Sequence, residues 1–173
     1  MRPVRPHFAA EVVDYDPSWK TSFKQIRACV WPAVAAVAVA IEHVGSTAVE
    51  GLAAKPIIDV DVIVTESGAV PETMAALTGI GYLHEGDLGI AGREAFAQPD
   101  HLPEHHLYVV IEGSQPLRDH LDFRDYLRSH PEQAKRYAAE KRRLAHLLSS
   151  DREAYVSGKA WLVREILAAA RAK

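Results

Sequence analysis

The chain contains one cysteine, Cys29, among its 173 residues. An intramolecular disulfide is therefore excluded, and a reducing compartment is expected. No apolar run is long enough to span a bilayer, and no signal-peptide hydrophobic region follows the first four residues. These absences predict a cytoplasmic protein that does not associate with membranes.

The sequence also has little excess charge, with a formal net charge of −3 at pH 7. General electrostatic attraction to nucleic acid is therefore not expected, although single cationic side chains can still bind phosphate. Repeats, low-complexity tracts and linkers are missing. A composition of 48% hydrophobic and 25% charged residues is ordinary for a globular protein. We expect residues 1–173 to form a single domain.

Two aspartates interrupt an otherwise apolar, β-branched run at residues 57–64. Such a run is typical of a strand inside a sheet. Because alternate side chains of a strand share a face, Asp59 and Asp61 would stand about 7 Å apart and repel by about 2 kcal/mol at an effective dielectric of about 20. A divalent cation between them turns the repulsion into binding. We predict that both carboxylates open into the main cleft and hold Mg²⁺ or Mn²⁺, the alternative being a strand end in solvent.

The segment before this strand supplies groups that bind phosphate. Gly45 permits a tight turn after a predicted strand at residues 41–44, and Ser46 with the free N–H groups of a following helix can hold a phosphate. The alternative role for Ser46 is a plain helix cap, which has the same sequence pattern. Lys55 adds a cation just before the acidic strand. Together with the aspartates, these residues predict a metal-bound phosphate site.

The remaining periodicity predicts an α+β fold. Apolar residues recur at helical spacing after Asp16, and Pro32 is expected to kink or divide that helix. Further elements are expected as a helix at 71–80, strands at 94–97 and 105–111, and helices at 117–128, after Pro131 and from about 151 to the end. Mixed strands and helices would thus fill about residues 1–115, and a helical portion about residues 116–173.

Several short motifs occur in order along the chain. They are Tyr15-Asp-Pro-Ser-Trp19, Glu42-His-Val-Gly-Ser-Thr47, Gly51-Leu-Ala-Ala-Lys-Pro-Ile-Ile-Asp59, Gly81-Tyr82, His105-His-Leu107, Phe123-Arg-Asp-Tyr-Leu-Arg128, Lys141 and Lys159. Together they resemble the GrpB (UPF0157) family of the nucleotidyltransferase superfamily over nearly the whole chain. The resemblance implies a nucleotidyltransferase-like fold, with a mixed β-sheet core flanked by helices and a C-terminal helical portion.

The resemblance also implies a function. A nucleoside triphosphate would bind through Mg²⁺ or Mn²⁺, and a nucleotidyl group would pass to an unknown small-molecule or macromolecular acceptor. Asp59 and Asp61 would hold the metal, and Gly45 and Ser46 would cradle phosphate. The further substrate-binding residues would be Lys55, Arg93, Arg124, Lys141 and Lys159. For Arg124, an ion pair that fastens the helical portion to the sheet is an equal alternative.

The third carboxylate of a two-metal site is missing from the strand at residues 105–111. His106 lies on the face where that acid belongs, where the family commonly shows His-x-His and this chain has His106-Leu-Tyr108. We therefore predict that His106 is catalytic, as a metal ligand or a hydrogen-bond donor. A zinc site that combines His105 with His106 is disfavoured, because neighbours on a strand face opposite ways.

Two other functions remain open. The missing acid favours a non-catalytic module that binds a nucleotide or another phospho-ligand. A link to coenzyme A metabolism is also open, because GrpB-like domains occur fused to dephospho-CoA kinase. The chain has no Gly-x-x-x-x-Gly-Lys-Ser/Thr loop, so it is not that kinase itself. The nucleotide, the acceptor and the oligomeric state are not specified by the sequence.

Overall fold

A computed structural model describes residues 11–172. The elements in this range are α1 (Ser18–Val34), β1 (Ala38–Val44), β2 (Ile58–Val64), α2 (Val70–Gly79), β3 (Leu83–Gly86), β4 (Arg93–Ala97), β5 (His105–Ile111), α3 (Gln115–Ser129), α4 (Pro131–Leu144) and α5 (Arg152–Arg171). Short 3₁₀ turns lie at Ser46–Ala48, Ser67–Ala69 and Ala145–Leu147. A mixed α/β region followed by helices alone confirms the predicted α+β class. Among these helices, none combines the length and apolarity that a bilayer crossing requires.

The strands form one sheet with the order β1-β2-β5-β4-β3. β2 and β5 pair in parallel, and the other neighbours are antiparallel. β5 has the bounds that its alternating pattern predicts. β3 was not predicted, because it is an edge strand on which Leu83 and its neighbours are exposed or only half-buried, so it has no apolar alternation.

One face of the sheet packs against α1 and α2. Val60 and Val62 of β2 and Leu107 and Val109 of β5 form this core with the apolar face of α1. Of the two expectations for Pro32, division of α1 was wrong, since the helix continues to Val34, and a kink stays a prediction. Pro32 lies in the last turn, where the hydrogen bond that proline removes is close to the helix end.

The helical portion is fixed to the other face of the sheet. Arg124 of α3 donates to Oε2 of Glu42 at 2.7 Å and to the His43 carbonyl at 3.1 Å. One turn later, Arg128 donates to the Ala48 carbonyl at 2.7 Å. A second apolar cluster joins α3, α4 and α5 to the segment after the first 3₁₀ turn; its members include Val49, Leu52, Leu127, Leu162 and Ile166. These contacts place α3 over β1 and the turn that follows it.

Candidate functional site

The acidic strand β2 lies between β1 and β5 and presents its two aspartates on the face that α3 covers. Asp59 is directly opposite His106 of β5, and Asp61 is opposite Tyr108. On the other side, Asp61 is opposite Glu42 of β1. Directly opposed residues project to the same face of a sheet. The strand register therefore brings two carboxylates, a third acid, an imidazole and a phenol onto one surface.

Asp59 is partly open and contacts the turn that follows β1. Its side chain is 30% exposed, and its Oδ1 lies 3.1 Å from Nδ1 of His106. A β-carbon added to Gly45 would lie 2.3 Å from Oδ2 of Asp59. Burial raises the pKa of Asp59, but the hydrogen bond and charge of His106, with the charges of His120 and Lys55, outweigh it. The net pKa lies below the usual value, so Asp59 is an anion at neutral pH.

Asp61 is sealed under α3. Its side chain is 0% exposed, and its Oδ2 lies 2.7 Å from Nδ1 of His120. Its Oδ1 is buried without a hydrogen-bond partner among residues 11–172. Burial raises the pKa of Asp61, although His120 partly counters that effect. The expectation that both carboxylates open into a cleft is therefore wrong for Asp61, because α3 places an imidazole over it.

A cavity of about 150 Å³ lies beside Asp59. It unites six residues that were predicted from separate parts of the sequence, namely Ser46, Lys55, Asp59, His106, Lys141 and Lys159. A larger cavity of about 710 Å³ shares no lining residue with it and contains none of the predicted site residues. In that larger space Asp14 is paired with Arg142, and Glu50 with Lys20. The smaller cavity is therefore the place where most of the predicted site residues meet.

Three lysines surround the small cavity. Lys141 is 3% exposed, and its Nζ is buried without a hydrogen-bond partner in the described part of the chain. It lies 4.7 Å from the ring centre of Tyr137, whose hydroxyl accepts a hydrogen bond from Lys159 at 3.1 Å. Burial, followed by the charges of Lys159 and Lys55, lowers the pKa of Lys141 well below its usual value. Within residues 11–172, the cavity thus holds a buried amine without a hydrogen-bond acceptor.

Burial also lowers the pKa of Lys55 and of Lys159. The Lys55 ammonium lies 5.6 Å from the ring centre of Tyr155. Aromatic faces attract cations, but they do not replace a hydrogen-bond acceptor. Three lysine amines and the carboxylate of Asp59 therefore line the same cavity.

The two predicted arginines lie outside this cavity. The guanidinium of Arg93 is 4.4 Å from the ring centre of Tyr108, and its Nε donates to the Asp87 carbonyl. Arg124 donates hydrogen bonds to Glu42, to the His43 carbonyl and to Asp125. These contacts fasten the helical portion to the sheet, which is the alternative role predicted for Arg124. Both arginines remain near the acidic face rather than beside Lys141. Contact of either one with a substrate remains a prediction.

The comparison with known families decides where this chain belongs. The family model described as GrpB protein matches residues 9–169. The chain belongs to the GrpB family. It is 39% identical over 170 residues to a UPF0157 protein of Pseudomonas aeruginosa, covering 94% of this chain and 68% of that protein. It is 34% identical over 154 residues to the UPF0157 protein YqkA of Bacillus subtilis, covering 89% of this chain but 45% of that longer protein.

Solved structures support the same placement. The crystal structure of the conserved protein GrpB from Enterococcus faecalis is similar with a TM-score of 0.81 and 32% identity, covering 92% of this chain and 96% of that one. Outside the family, Cid1 in complex with the UTP analogue UMPNPP is similar with a TM-score of 0.58 and 10% identity, over 86% of this chain and 48% of that one. At this identity the likeness shows the fold alone, which is nucleotidyltransferase-like.

A dephospho-CoA kinase of Mycolicibacterium paratuberculosis is 26% identical over 173 residues, covering 86% of this chain and 42% of that enzyme.

Four site residues of this GrpB chain were not found from the sequence. His120 and Tyr155 carry no signal, because their partners on the site lie far away along the chain. The sequence did contain a signal for Tyr137, because a residue four positions before Lys141 lies on the same helix face. Glu42 stands in a quoted motif, but the third acid was sought on β5 rather than on β1.

The residues of the GrpB site fit a divalent cation that a substrate helps to bind. In the described range, no three His, Cys, Asp or Glu side chains form a ready ligand set. Mg²⁺ is normally held by one or two carboxylates together with phosphates and water. Asp59 supplies an open anionic carboxylate, and Asp61 supplies a buried oxygen with no partner among residues 11–172. A cation bound with phosphate matches this pair.

Proposed function

We propose that this GrpB protein binds a nucleoside triphosphate through Mg²⁺ or Mn²⁺ and transfers its nucleotidyl group to an acceptor hydroxyl. One observation carries the proposal. Within residues 11–172, Oδ1 of Asp61 and Nζ of Lys141 are buried without hydrogen-bond partners. The carboxylate oxygen needs a donor or a cation, and the amine needs an acceptor or an anion. A buried polar group without a partner is costly, and a bound ion or ligand is one explanation of such a group. A complex of a cation with a polyphosphate supplies a partner to each.

The dimensions of the small cavity favour phosphate over a complete nucleotide. Sites for drug-sized ligands usually measure roughly 300–1,000 Å³, whereas this cavity measures about 150 Å³. The phosphates would lie against Ser46, Lys55, Lys141 and Lys159, and the nucleoside would extend outside. Gly45 brings the turn that carries Ser46 to the same place as the Asp59 carboxylate.

The residues of the chain act mainly by holding and neutralising the substrate. The acceptor hydroxyl would attack the α-phosphorus, and pyrophosphate would leave. The cation, when bound, spreads the negative charge of the phosphates. Ser46 and the three lysines orient the chain of phosphates, and positioning of this kind supplies much of the rate in phosphoryl-type transfer. His106 would orient Asp59 and stand in the place of the third carboxylate.

A second candidate is a non-catalytic module that binds a phospho-ligand. It is favoured by β5, because His106 and Tyr108 occupy the positions opposite the two aspartates and neither is a carboxylate. The likeness to a dephospho-CoA kinase makes coenzyme A compounds reasonable ligands to test. They carry phosphates that the same lysines would neutralise.

Thermal melting and calorimetry with each common triphosphate, coenzyme A and dephospho-CoA, with and without Mn²⁺, test the proposal. A triphosphate present at about 100 times its Kd stabilises the fold by about 2.7 kcal/mol. We expect this gain with metal in the wild type and its loss in Asp59→Asn. Equal metal-dependent affinity in both proteins would reject the metal site. Binding without pyrophosphate release, across a broad set of acceptors, would favour the module.

A further inference from the structure

We infer that the site binds one divalent cation per chain, and that His120 occupies the side of Asp61 on which a second cation would need to bind. The inference rests on the proposed function, because it concerns the metal that accompanies the triphosphate. It departs from a two-metal mechanism, in which paired ions about 3.5–4 Å apart stabilise the attacking and leaving oxygens. His120 is then a positioning residue that sets the number of ions.

Histidines contact one oxygen of each aspartate. Oδ1 of Asp59 lies 3.1 Å from Nδ1 of His106, and Oδ2 of Asp61 lies 2.7 Å from Nδ1 of His120. Among residues 11–172, this leaves Oδ2 of Asp59, beside Gly45, and Oδ1 of Asp61 as the oxygens that no histidine contacts. Two oxygens suffice for one cation whose shell is completed by phosphates and water. Two cations require further oxygens or bridging carboxylates.

The strands on either side of β2 supply few further acids. The positions of β5 opposite Asp59 and Asp61 are His106 and Tyr108, neither of which is a carboxylate. The position of β1 opposite Asp61 is Glu42, whose Oε2 accepts a hydrogen bond from Arg124 at 2.7 Å. The neighbouring strands therefore add one acid, and an arginine already holds it.

The fold determines the position of His120. His120 lies one helical turn before Arg124, and Arg124 fixes α3 to β1 through Glu42 and the His43 carbonyl. The imidazole also packs beside Tyr108, with 5.8 Å between ring centres. Displacement of His120 from Asp61 thus requires either a new side-chain rotamer or movement of a braced helix. A second cation would have to displace it.

Direct counting of bound Mn²⁺ tests the inference without measuring turnover. Free Mn²⁺ is titrated by electron paramagnetic resonance, and calorimetry is run in parallel, with a non-hydrolysable ATP analogue present. We expect one Mn²⁺ per chain in the wild type and two in His120→Ala, because the alanine releases Oδ2 of Asp61. His120→Asn should return the count to one, since its amide N–H can replace the imidazole donor. His146→Ala, which changes an exposed histidine on a 3₁₀ turn, should leave the count at one.

The possible outcomes separate the two proposals. Two Mn²⁺ per wild-type chain would overturn the single-cation inference and leave the proposed function intact. One Mn²⁺ in His120→Ala, with unchanged affinity, would overturn the role of His120. No Mn²⁺ in the wild type at any analogue concentration would overturn the proposed function itself. If His120→Ala melts without a cooperative transition, the wild-type count still tests the single-cation inference.

Discussion

The backbone of Gly45 lies against the carboxylate of Asp59, because a β-carbon on Gly45 would be only 2.3 Å from Asp59 Oδ2. Gly45 has φ 73° and ψ −172°, a backbone conformation that is essentially restricted to glycine. The turn that carries Ser46 and the strand that carries Asp59 are therefore in direct contact. A phosphate on the turn and a cation on the carboxylate would be neighbours as a result.

Gly45→Ala should disrupt this contact more than a backbone effect alone would. Strain at such a φ costs about 1–3 kcal/mol, and the clash with Asp59 adds to it. Gly51→Ala is the matched control, since Gly51 also has positive φ, 81°, but no atom lies within 4 Å of its added β-carbon. We expect a larger loss of unfolding free energy in Gly45→Ala, measured by urea denaturation, and loss of metal-dependent triphosphate binding in that variant alone. Equal losses would show that the contact is unimportant.

Lys141→Met should stabilise the empty protein and weaken ligand binding. The substitution removes a buried amine that has no hydrogen-bond partner within residues 11–172, which should add about 1–3 kcal/mol to the unfolding free energy. The same change should weaken triphosphate binding by roughly 10- to 100-fold, the usual effect of losing a hydrogen bond to a charged group. Lys135→Met, on the exposed side of α4, is the control for calorimetry and melting. Unchanged affinity in Lys141→Met would remove Lys141 from the site.

The stability gain of Lys141→Met should also depend on pH. The folded-state pKa of Lys141 lies well below 10.5 because of burial, so the unfolded chain binds more protons in the interval between those values. The unfolding free energy of the wild type therefore rises with pH across that interval. The advantage of Lys141→Met should shrink as the pH approaches 10.5. An advantage that stays constant with pH would mean that Lys141 remains charged in the folded protein.

His43 should make the wild type sensitive to mild acid. Burial lowers its pKa to about 4 from 6.5, and its Nε2 lies 2.9 Å from Oγ1 of Thr47 in the Ser46–Ala48 turn. Between those pH values the unfolded chain binds the extra proton, so stability falls as the pH falls. Relative to His43→Gln, the wild type should lose up to about 3 kcal/mol from pH 6.5 to pH 4. Parallel pH–stability curves for the two proteins would contradict this account.

His106→Ala should separate binding from turnover. If His106 orients Asp59 in the reaction, its removal should lower kcat by roughly 100-fold or more, while the Kd of the triphosphate changes less. His84→Ala, in an exposed pair with Glu94, is the matched control. A rise in Kd that accounts for the whole effect would assign His106 to binding alone.

Sequence reasoning recovered the elements whose patterns are local. β5 has Leu107, Val109 and Ile111 on one face and a more polar set on the other, and its bounds were predicted correctly. β3 was missed because an exposed edge strand of four residues has no buried face to mark it. Lys141 was proposed through the family resemblance, whereas its helix composition favours a solvated lysine. His120 was missed because its role depends on Asp61, which is 59 residues away and has no motif in common with it.

The contacts that assemble the site join distant parts of the chain. The separations are 47 residues for Asp59 and His106, 59 for Asp61 and His120, and 82 for Glu42 and Arg124. Closing such long loops carries an entropic penalty before any contact compensates for it, so contacts of this kind tend to form late in folding. During synthesis, the acidic strand would leave the ribosome well before α3 is available to cover it. The chain would therefore acquire its complete ligand pocket as one of the last events of its maturation.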